Sequence, residues 1–245
     1  MYSLIGIFIL AVLFLNLERR FPGRTLPNSK AWYLRAVFFN LVQFSLVFIA
    51  GATWNKWFQS YSLFDGESFF AQLPFLPAVV EAFVYWFLGT FIFYWWHRLR
   101  HQNGWWQIFH QIHHSPTRIE AMTAFYKHPL EMLVNSVIIS TFLFLIFGGS
   151  VEAAGWYNFF GVAGELFYHS NLRTPRFLGY FLQRPEHHSI HHQMGVHNFN
   201  FGDITLWDRL FGTFKETDVF MPECGFDEQR EEKLLSMLTF KDVHK

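Results

Sequence analysis

The stretch AVVEAFVYWFLGTFIFYWWHRLRHQNGWWQIFHQIHH, residues 78–114, joins an apolar run of membrane length directly to two clusters of histidines. Its first part, residues 78–96, carries one charge, Glu81, and is close to the roughly 20 residues that a helix needs to cross a hydrocarbon core. A helix that continues beyond this run places His97 and His101 one turn apart on one face. The stretch therefore predicts a membrane helix that ends in a group of imidazoles just outside the bilayer.

Further apolar runs lie on both sides of this stretch, at residues 2–17, 36–54 and 133–149, with a candidate fifth, returning helix at 153–168. The first run is interpreted as a retained membrane helix rather than a secretory signal, because no basic residue precedes it and no small-residue cleavage site follows. Gly148-Gly149 is the predicted turn between the last two. Together the runs predict an all-α, polytopic membrane bundle of four to five membrane helices.

No repeat or low-complexity linker interrupts the chain, so a single domain of residues 1–245 is predicted. Within it, residues 1–80 hold the N-terminal membrane helices and residues 81–213 hold the histidine core. Residues 214–245 form a charged cytosolic tail with helical character.

Composition excludes several classes of protein. The chain is 51% hydrophobic and only 16% charged, which argues against a freely soluble globule. Its formal net charge is zero, so nucleic acid is not expected as a partner. A single cysteine, Cys224, excludes an internal disulfide and any cysteine-based zinc or iron–sulfur site. Any bound metal must therefore be held by nitrogen and oxygen.

The distribution of Lys and Arg predicts the orientation. Five basic residues lie between the first two apolar runs, whereas the next connection, residues 55–77, holds only Lys56. Basic residues in short loops favour the cytoplasmic side, so the first loop is placed inside, together with every histidine cluster. The expected location is a bacterial inner membrane or the endoplasmic reticulum.

Eight histidines form three clusters with helical spacing: His97 and His101; His110, His113 and His114; His188, His191 and His192. His169 stands alone at the end of the fifth run. One pair of this kind would fit a polar membrane surface or a pH sensor, but three clusters supply enough nitrogen for two metal ions at about four to six ligands each. Zinc hydrolysis needs about three protein ligands and a water, so two redox-active irons fit nine histidines better.

The cluster series His97-x3-His101, His110-x2-His113-His114 and His188-x2-His191-His192 resembles that of the fatty acid hydroxylase and sterol desaturase superfamily, membrane-bound di-iron oxygenases. His169-Ser170-Asn171-Leu172, residues 198–203 and residues 206–213 are also similar to segments of that family. The resemblance covers roughly residues 81–213 and implies a cytosolic helical cap that holds a dinuclear metal site with two iron ions. It implies as ligands His97, His101, His110, His113, His114, His169, His188, His191 and His192.

Other polar residues near the motifs remain open. His187 could replace His188, and Glu165 stands where some relatives have a histidine, so it could be a ligand, an acceptor behind a ligand or neither. His128 and His197 are expected to be structural or to support the ligands. Four further residues could accept the free ring N–H of a ligand: Asn171, Glu186, Asp203 and Asp208. Asp208 could instead form a local ion pair with Arg209. The aromatic clusters Tyr94-Trp95-Trp96 and Trp105-Trp106 are interpreted as an interfacial belt at the depth of the lipid headgroups.

The resemblance implies an enzyme that uses dioxygen and external electrons to hydroxylate a C–H bond of a membrane lipid, such as a fatty acyl chain or a sterol. Desaturation on the same site ranks second, and a non-catalytic membrane metal-binding protein is the further alternative. A metal transporter would place polar ligands within the membrane runs, which hold few. The chain has no flavin fingerprint or ferredoxin cysteine set, so a separate electron-transfer protein is expected.

Overall fold

The computed structural model describes residues 2–26 and 29–244, and within these residues the chain is helical and contains no sheet. The α-helices are α1 (Tyr2–Arg20), α2 (Lys30–Ala52), α3 (Trp54–Ser60), α4 (Gly66–Phe70), α5 (Pro77–Arg100), α6 (Gln111–His114), α7 (Pro129–Ser140), α8 (Val151–His169), α9 (Pro185–His191), α10 (Thr205–Leu210), α11 (Glu228–Glu231) and α12 (Leu234–Leu238). π-Helical segments lie at Trp106–His110 and Thr141–Ile146, and 3₁₀ segments at Ala121–Phe125 and Arg176–Tyr180.

Four helical segments are long and apolar enough to cross a membrane: Tyr2–Arg20, Lys30–Ser60, Pro77–Arg100 and Pro129–Ile146. The fifth apolar run also forms a helix, α8, which packs on α1 and α5 but is not among the four. The predicted helical membrane bundle is therefore confirmed. The fourth segment begins four residues before the predicted run and so includes Glu131.

The predicted turn between the fourth segment and α8 lies at Gly148-Gly149. Gly148 has φ = +56°, a conformation that favours glycine, and a Cβ there would lie 1.9 Å from the carbonyl oxygen of Phe64. Ser150 then caps α8, because its hydroxyl accepts from the backbone N–H of Ala153 at 3.0 Å. Glu81 of α5 accepts from both the N–H and the hydroxyl of Ser150, which accounts for the one charge in the apolar run of α5.

The short helices α6 and α9 form a layer at the histidine-bearing ends of α5 and α8, while α10 packs along α5, where Trp207 donates to Thr90 at 2.8 Å. Residues near the C-terminus join this layer: Met237 is fully buried in a cluster with Trp32 and Ile112, and Gln111 donates to the carbonyl oxygen of Lys241 at 2.9 Å. The segment after residue 213 thus contributes to the core. It packs against the same layer that carries the histidines.

The aromatic residues at the end of α5 do not form a simple belt. Tyr94 is fully buried and its hydroxyl lies 2.9 Å from that of Thr213, while Trp96 donates to Asn135 at 2.7 Å. Of the five residues in the two aromatic clusters, Trp95 and Trp105 are substantially exposed and the other three are not. The belt interpretation is therefore wrong for Tyr94 and Trp96, because polar partners inside the protein bind their polar atoms.

Candidate metal centre

The structure brings all nine predicted ligand histidines together in two adjacent groups. The five-histidine group contains His97, His101, His110, His114 and His191, and the four-histidine group contains His113, His169, His188 and His192. Within each group, every histidine offers one ring nitrogen, and these nitrogens all lie within 4.8 Å of one another. Eight of the nine rings are buried, and His101 is partly buried.

Helix geometry explains how the clusters divide. Histidines four residues apart share a group, as His97 and His101 do, because they lie on one helical face. Adjacent residues point about 100° apart on a helix, so His113 and His114 face different groups. The same division separates His191 from His192. Each cluster of three histidines therefore contributes to both groups.

The ring nitrogens approach one another as ligands of shared ions do. The Nε2 atoms of His97 and His110 are 2.9 Å apart in the five-histidine group. In the four-histidine group, Nε2 of His169 lies 3.2 Å from that of His113 and 3.1 Å from that of His188. Two nitrogens that each lie about 2.1 Å from one ion at a right angle are about 3 Å apart. The spacing therefore fits metal ligation.

Five of the nine rings donate from Nδ1 to an oxygen behind them, which leaves Nε2 for the centre. The acceptors are Phe201 O for His97 (2.7 Å), Phe199 O for His191 (2.8 Å), Tyr126 O for His113 (3.3 Å), Glu165 O for His169 (2.9 Å) and the Glu131 carboxylate for His110 (3.2 Å). Such acceptors fix the tautomer and orientation of metal-binding histidines.

Several ring nitrogens in the centre have no hydrogen-bond partner in the protein. Both ring nitrogens of His101 and His114 are of this kind, as is Nε2 of His191. Buried polar atoms in folded proteins nearly always have a partner. The donor set is purely imidazole, which suits iron, zinc, copper and nickel. These residues therefore fit a pair of transition-metal ions.

The environment keeps the rings neutral. Burial, followed by the charges of neighbouring histidines, lowers the pKa well below its usual range for His101, His113, His114, His188 and His192. Burial and then the nearby Arg100 act in the same direction on the pKa of His110. Burial lowers the pKa of His191 to about 3. Neutral imidazole is the form that binds metal, so the rings are ready as ligands at physiological pH.

Glu131 is a functional residue that sequence reasoning missed. It lies at the start of α7, is fully buried, and accepts from Nδ1 of His110 and from the guanidinium of Arg100. A carboxylate between a ligand and an arginine orients the ring and balances the buried positive charge. The available signal was an acidic residue at the beginning of an apolar helix, next to the predicted membrane run.

Glu165 lies beside the centre, outside the two groups of candidate ligands. Its Oε1 accepts from Nζ of Lys127 at 2.6 Å, and its Oε2 lies 3.4 Å from Nδ1 of His169. This position matches the alternative in which Glu165 supports a ligand. Lys127, which the sequence did not single out, holds the carboxylate in place.

The three other histidines considered near the motifs, His128, His187 and His197, also lie outside both groups. Nε2 of His187 is 2.7 Å from Glu216, and His128 caps α7 by accepting from the N–H of Leu130 at 3.0 Å. His197 packs beside Trp106 and His114, with ring centroids 4.9 and 5.0 Å away.

The four polar residues proposed as acceptors bind other partners. Asn171 exchanges hydrogen bonds with the backbone of Arg24, Glu186 accepts from Thr174, and Asp203 accepts from Tyr168. Asp208 accepts from the N–H groups of Phe201 and Gly202 at 2.8 and 2.7 Å, so it holds the loop whose Phe201 carbonyl binds His97. The alternative of a local Asp208–Arg209 ion pair is not formed either, since Arg209 donates to the carbonyl oxygen of Gly179.

A cavity of about 570 Å³ leads from the membrane helices to the centre. Helices α1, α2, α5, α7 and α8 form its walls, and at its inner end it reaches His97, His110, His113, His169 and His188. Helix α1 packs on α8 and α2 packs on α7, whereas α1 and α2 contact each other little. Phe8 of α1 and Phe44 of α2 line the cavity and are also 69% and 57% exposed. The cavity is therefore open towards the bilayer between these two helices.

Comparison with known proteins identifies the family. The model of the family described as fatty acid hydroxylase matches residues 82–213, more than half of the chain. Sphinganine C4-monooxygenase 1 of Arabidopsis thaliana is 30% identical over 145 residues, which cover 57% of this chain and 56% of that protein. A very-long-chain aldehyde decarbonylase of Oryza sativa subsp. indica is 28% identical over 162 residues, which cover 62% of each chain.

Lathosterol oxidase of Mus musculus is 30% identical over 138 residues, which cover 55% of this chain and 44% of that protein. The chain thus spans between two fifths and two thirds of the length of these curated relatives. No solved structure matches it. Because the family model covers most of the histidine core and the nine histidines converge, the chain belongs to the fatty acid hydroxylase family.

Proposed function

We propose that the protein is a membrane di-iron oxygenase that hydroxylates a C–H bond of a lipid with dioxygen and external electrons. One observation carries the proposal: two adjacent groups of histidines lie at the inner end of an apolar cavity that opens between membrane helices. Family membership supports an oxidoreductase. The names of the relatives, a sphinganine monooxygenase and a lathosterol oxidase among them, support a lipid substrate.

Each group would hold one iron ion through its imidazole nitrogens. A bound iron pair supplies the activation of dioxygen for attack on an unactivated C–H bond. The protein supplies neutral ligands, acceptors such as Glu131 that fix ring orientation, and a cavity that excludes water from the oxidised carbon.

The cavity walls favour a long apolar substrate. Large apolar side chains of α1 and α2 line it, and the gap between these helices faces the region that lipid chains occupy. A fatty acyl chain or a sterol can enter sideways from the bilayer without crossing water. The walls therefore support a lipid substrate, while the choice between an alcohol and an alkene product would depend on the reaction at the bound metals.

Electrons would reach the centre from a separate electron-transfer protein on the opposite, cytoplasmic side. A second cavity of about 410 Å³ lies at the surface and is lined by His101, Trp106 and His197. His101 belongs to the five-histidine group, and the Trp106 ring lies 5.4 Å from it. A carrier docked at this opening would lie close to the five-histidine group and would leave the lipid cavity free.

The test compares lipid extracts by mass spectrometry from cells that express the wild-type chain, the His113→Ala variant or neither. An oxidised lipid found only with the wild type, together with two irons in the purified protein, supports the proposal. An alkene in place of an alcohol assigns desaturation to the same site. Zinc with an unchanged lipid profile contradicts the proposal and supports a non-catalytic metal-binding protein.

A further inference from the structure

Six large apolar side chains form an exposed surface outside the two cavities. They come from two segments of the chain, the 3₁₀ segment Arg176–Tyr180 with the two residues that follow it, and helix α10. The six define the lateral face and are between 37% and 76% exposed: Phe177, Tyr180, Phe181, Leu182, Leu206 and Leu210. A group of exposed apolar side chains of this size indicates contact with another apolar surface or phase.

Hydrogen bonds join the two segments of the lateral face. Thr205, at the start of α10, donates from its N–H to the carbonyl oxygen of Phe181 and from its hydroxyl to that of Tyr180, both at 3.1 Å. Arg209 donates to the carbonyl oxygen of Gly179 at 3.1 Å. Carbonyl groups of the 3₁₀ segment are thus satisfied within the protein, as an apolar environment requires.

Helix α10 lies beside the membrane span of α5 rather than beyond its end. The indole N–H of Trp207 donates to the hydroxyl of Thr90 at 2.8 Å, and its ring centroid lies 5.0 Å from that of Phe91. Thr90 precedes Trp96, the last residue of the apolar run, by six positions, which is about 9 Å along a helix axis. Helix α10 is therefore level with the apolar part of α5, at a depth that lipid occupies.

The exposed surface of α5 continues directly into α10. Trp207 packs on Phe87 and Phe91, and Phe211 packs on Trp95 with ring centroids 4.9 Å apart. The three aromatic residues of α5 remain 37% to 42% exposed beside these contacts. Exposed apolar side chains of a membrane span contact lipid. The lipid that covers this side of α5 would therefore also reach the lateral face.

The charges near the lateral face fit a position at the membrane boundary. Residues 177–182 carry no charge, and the one carboxylate of α10, Asp208, is buried and accepts from two backbone N–H groups. Arg176 and Arg209 border the face, and the guanidinium of Arg209 lies 3.8 Å from the ring centroid of Phe214. Long basic side chains can cover apolar surface with their stems while the charged ends reach the headgroups.

We propose that the lateral face is immersed in the bilayer leaflet at the histidine-bearing end of α5. Its partner is the membrane lipid itself, at the boundary between headgroups and acyl chains. The inference goes beyond the proposed function, because it does not depend on any reaction at the metals. It also links the bilayer to the centre: Asp208 of α10 holds the loop whose Phe201 carbonyl accepts from His97. Immersion would thus fix the position of the five-histidine group relative to the membrane.

Fluorescence quenching tests the position of the lateral face. Phe181→Cys and Leu210→Cys replace exposed side chains, and each variant is labelled with a small fluorophore and placed, metal-loaded, in phosphatidylcholine nanodiscs. Nitroxide groups near the headgroup end of the acyl chains quench from within the bilayer, whereas iodide quenches from water. The nitroxide lipid should quench both labels at least about threefold more efficiently than iodide does, since interfacial segments bury their apolar face in the headgroup and acyl boundary.

Matched controls define the two extremes. A label at Phe87→Cys, on the exposed surface of the α5 span, should respond mainly to the nitroxide lipid. A label at Asn103→Cys, in the turn after α5 where Asn103 lines the surface cavity, should respond mainly to iodide. The labelled wild type serves as the blank, because its single cysteine, Cys224, is buried.

Two results would overturn the inference. Labels at Phe181 and Leu210 that iodide quenches as strongly as the label at Asn103 would place the lateral face in water. Labels protected from both quenchers would show that protein covers the face, and energy transfer between donor- and acceptor-labelled chains would identify that protein as a second copy. The result is independent of the lipid analysis above, so either proposal can fail without the other.

Discussion

The two histidine groups are built from the same sequence clusters but lie in different surroundings. The five-histidine group is backed by the Phe199 and Phe201 carbonyls and by Glu131, and its member His101 lines the surface cavity. In the four-histidine group, three rings line the lipid cavity, and His169 comes from α8 beside the Lys127–Glu165 pair. Under the proposed function, the difference predicts a division of labour in which the five-histidine group receives electrons and the four-histidine group lies beside the lipid.

Removal of a ligand tests this division most severely. His113→Ala should empty the four-histidine site and His114→Ala the five-histidine site, and either change should lower activity by at least about 100-fold, beyond the effect typical of outer partners. Iron analysis should show the loss of one ion from each variant. His128→Ala, which removes a helix cap outside both groups, is the control and should keep both ions. Equal iron content in all three variants would contradict the assignment.

The acceptors behind the rings should give smaller effects that are specific to one group. Glu131→Gln removes the carboxylate that orients His110 and balances Arg100, so we expect a loss of about 3–5 kcal/mol in stability as well as weaker metal binding in the five-histidine site. Glu165→Gln should weaken metal binding in the four-histidine site by about tenfold. Metal titrations measure the affinity of each variant for metal, and thermal unfolding in detergent measures its stability. Identical losses from the two sites would contradict the distinction.

Acid should lower the stability of the metal-free protein through the buried histidines of both groups. The buried rings have pKa values below the usual range in the folded protein, with that of His191 at about 3, whereas an unfolded histidine titrates near about 6.5. Below about pH 6.5 the unfolded state binds more protons than the folded state. The contribution of these histidines to stability is therefore fully present above that pH, and it is lost as the pH falls towards their pKa values in the folded protein. Unfolding midpoints of the metal-free protein between about pH 8 and pH 5 check the sign. A midpoint that rises in acid would contradict it.

The smallest effect is expected at the surface cavity. Trp106→Phe keeps an aromatic ring next to His101 and His197 but removes the indole, so reduction by an external electron donor should slow while lipid binding stays unchanged. Stopped-flow reduction and lipid binding measure the two steps separately. A variant with impaired lipid binding and normal reduction would place the electron entry elsewhere.

Much of the centre could be predicted from the sequence because its ligands follow helical spacing. The apolar runs identified the membrane helices, and all nine predicted histidines converge. The division into groups of five and four was not predicted, because helical spacing relates histidines of one cluster and does not show which clusters combine. The acceptors were not readable: Glu131 is 21 residues from His110, and Phe201 is 104 residues from His97. Asn171 and Asp203 lie near the motifs in sequence, but tertiary contacts give them other partners.

The most direct test of the account is the metal content of the purified wild-type protein from iron-supplemented cells, combined with X-ray absorption at the iron edge. The account predicts two irons per chain, each surrounded by nitrogen ligands at about 2.1 Å, the distance typical of histidine ligands. One metal ion per chain, or none, would contradict a centre in which two separate groups of histidines each hold an ion.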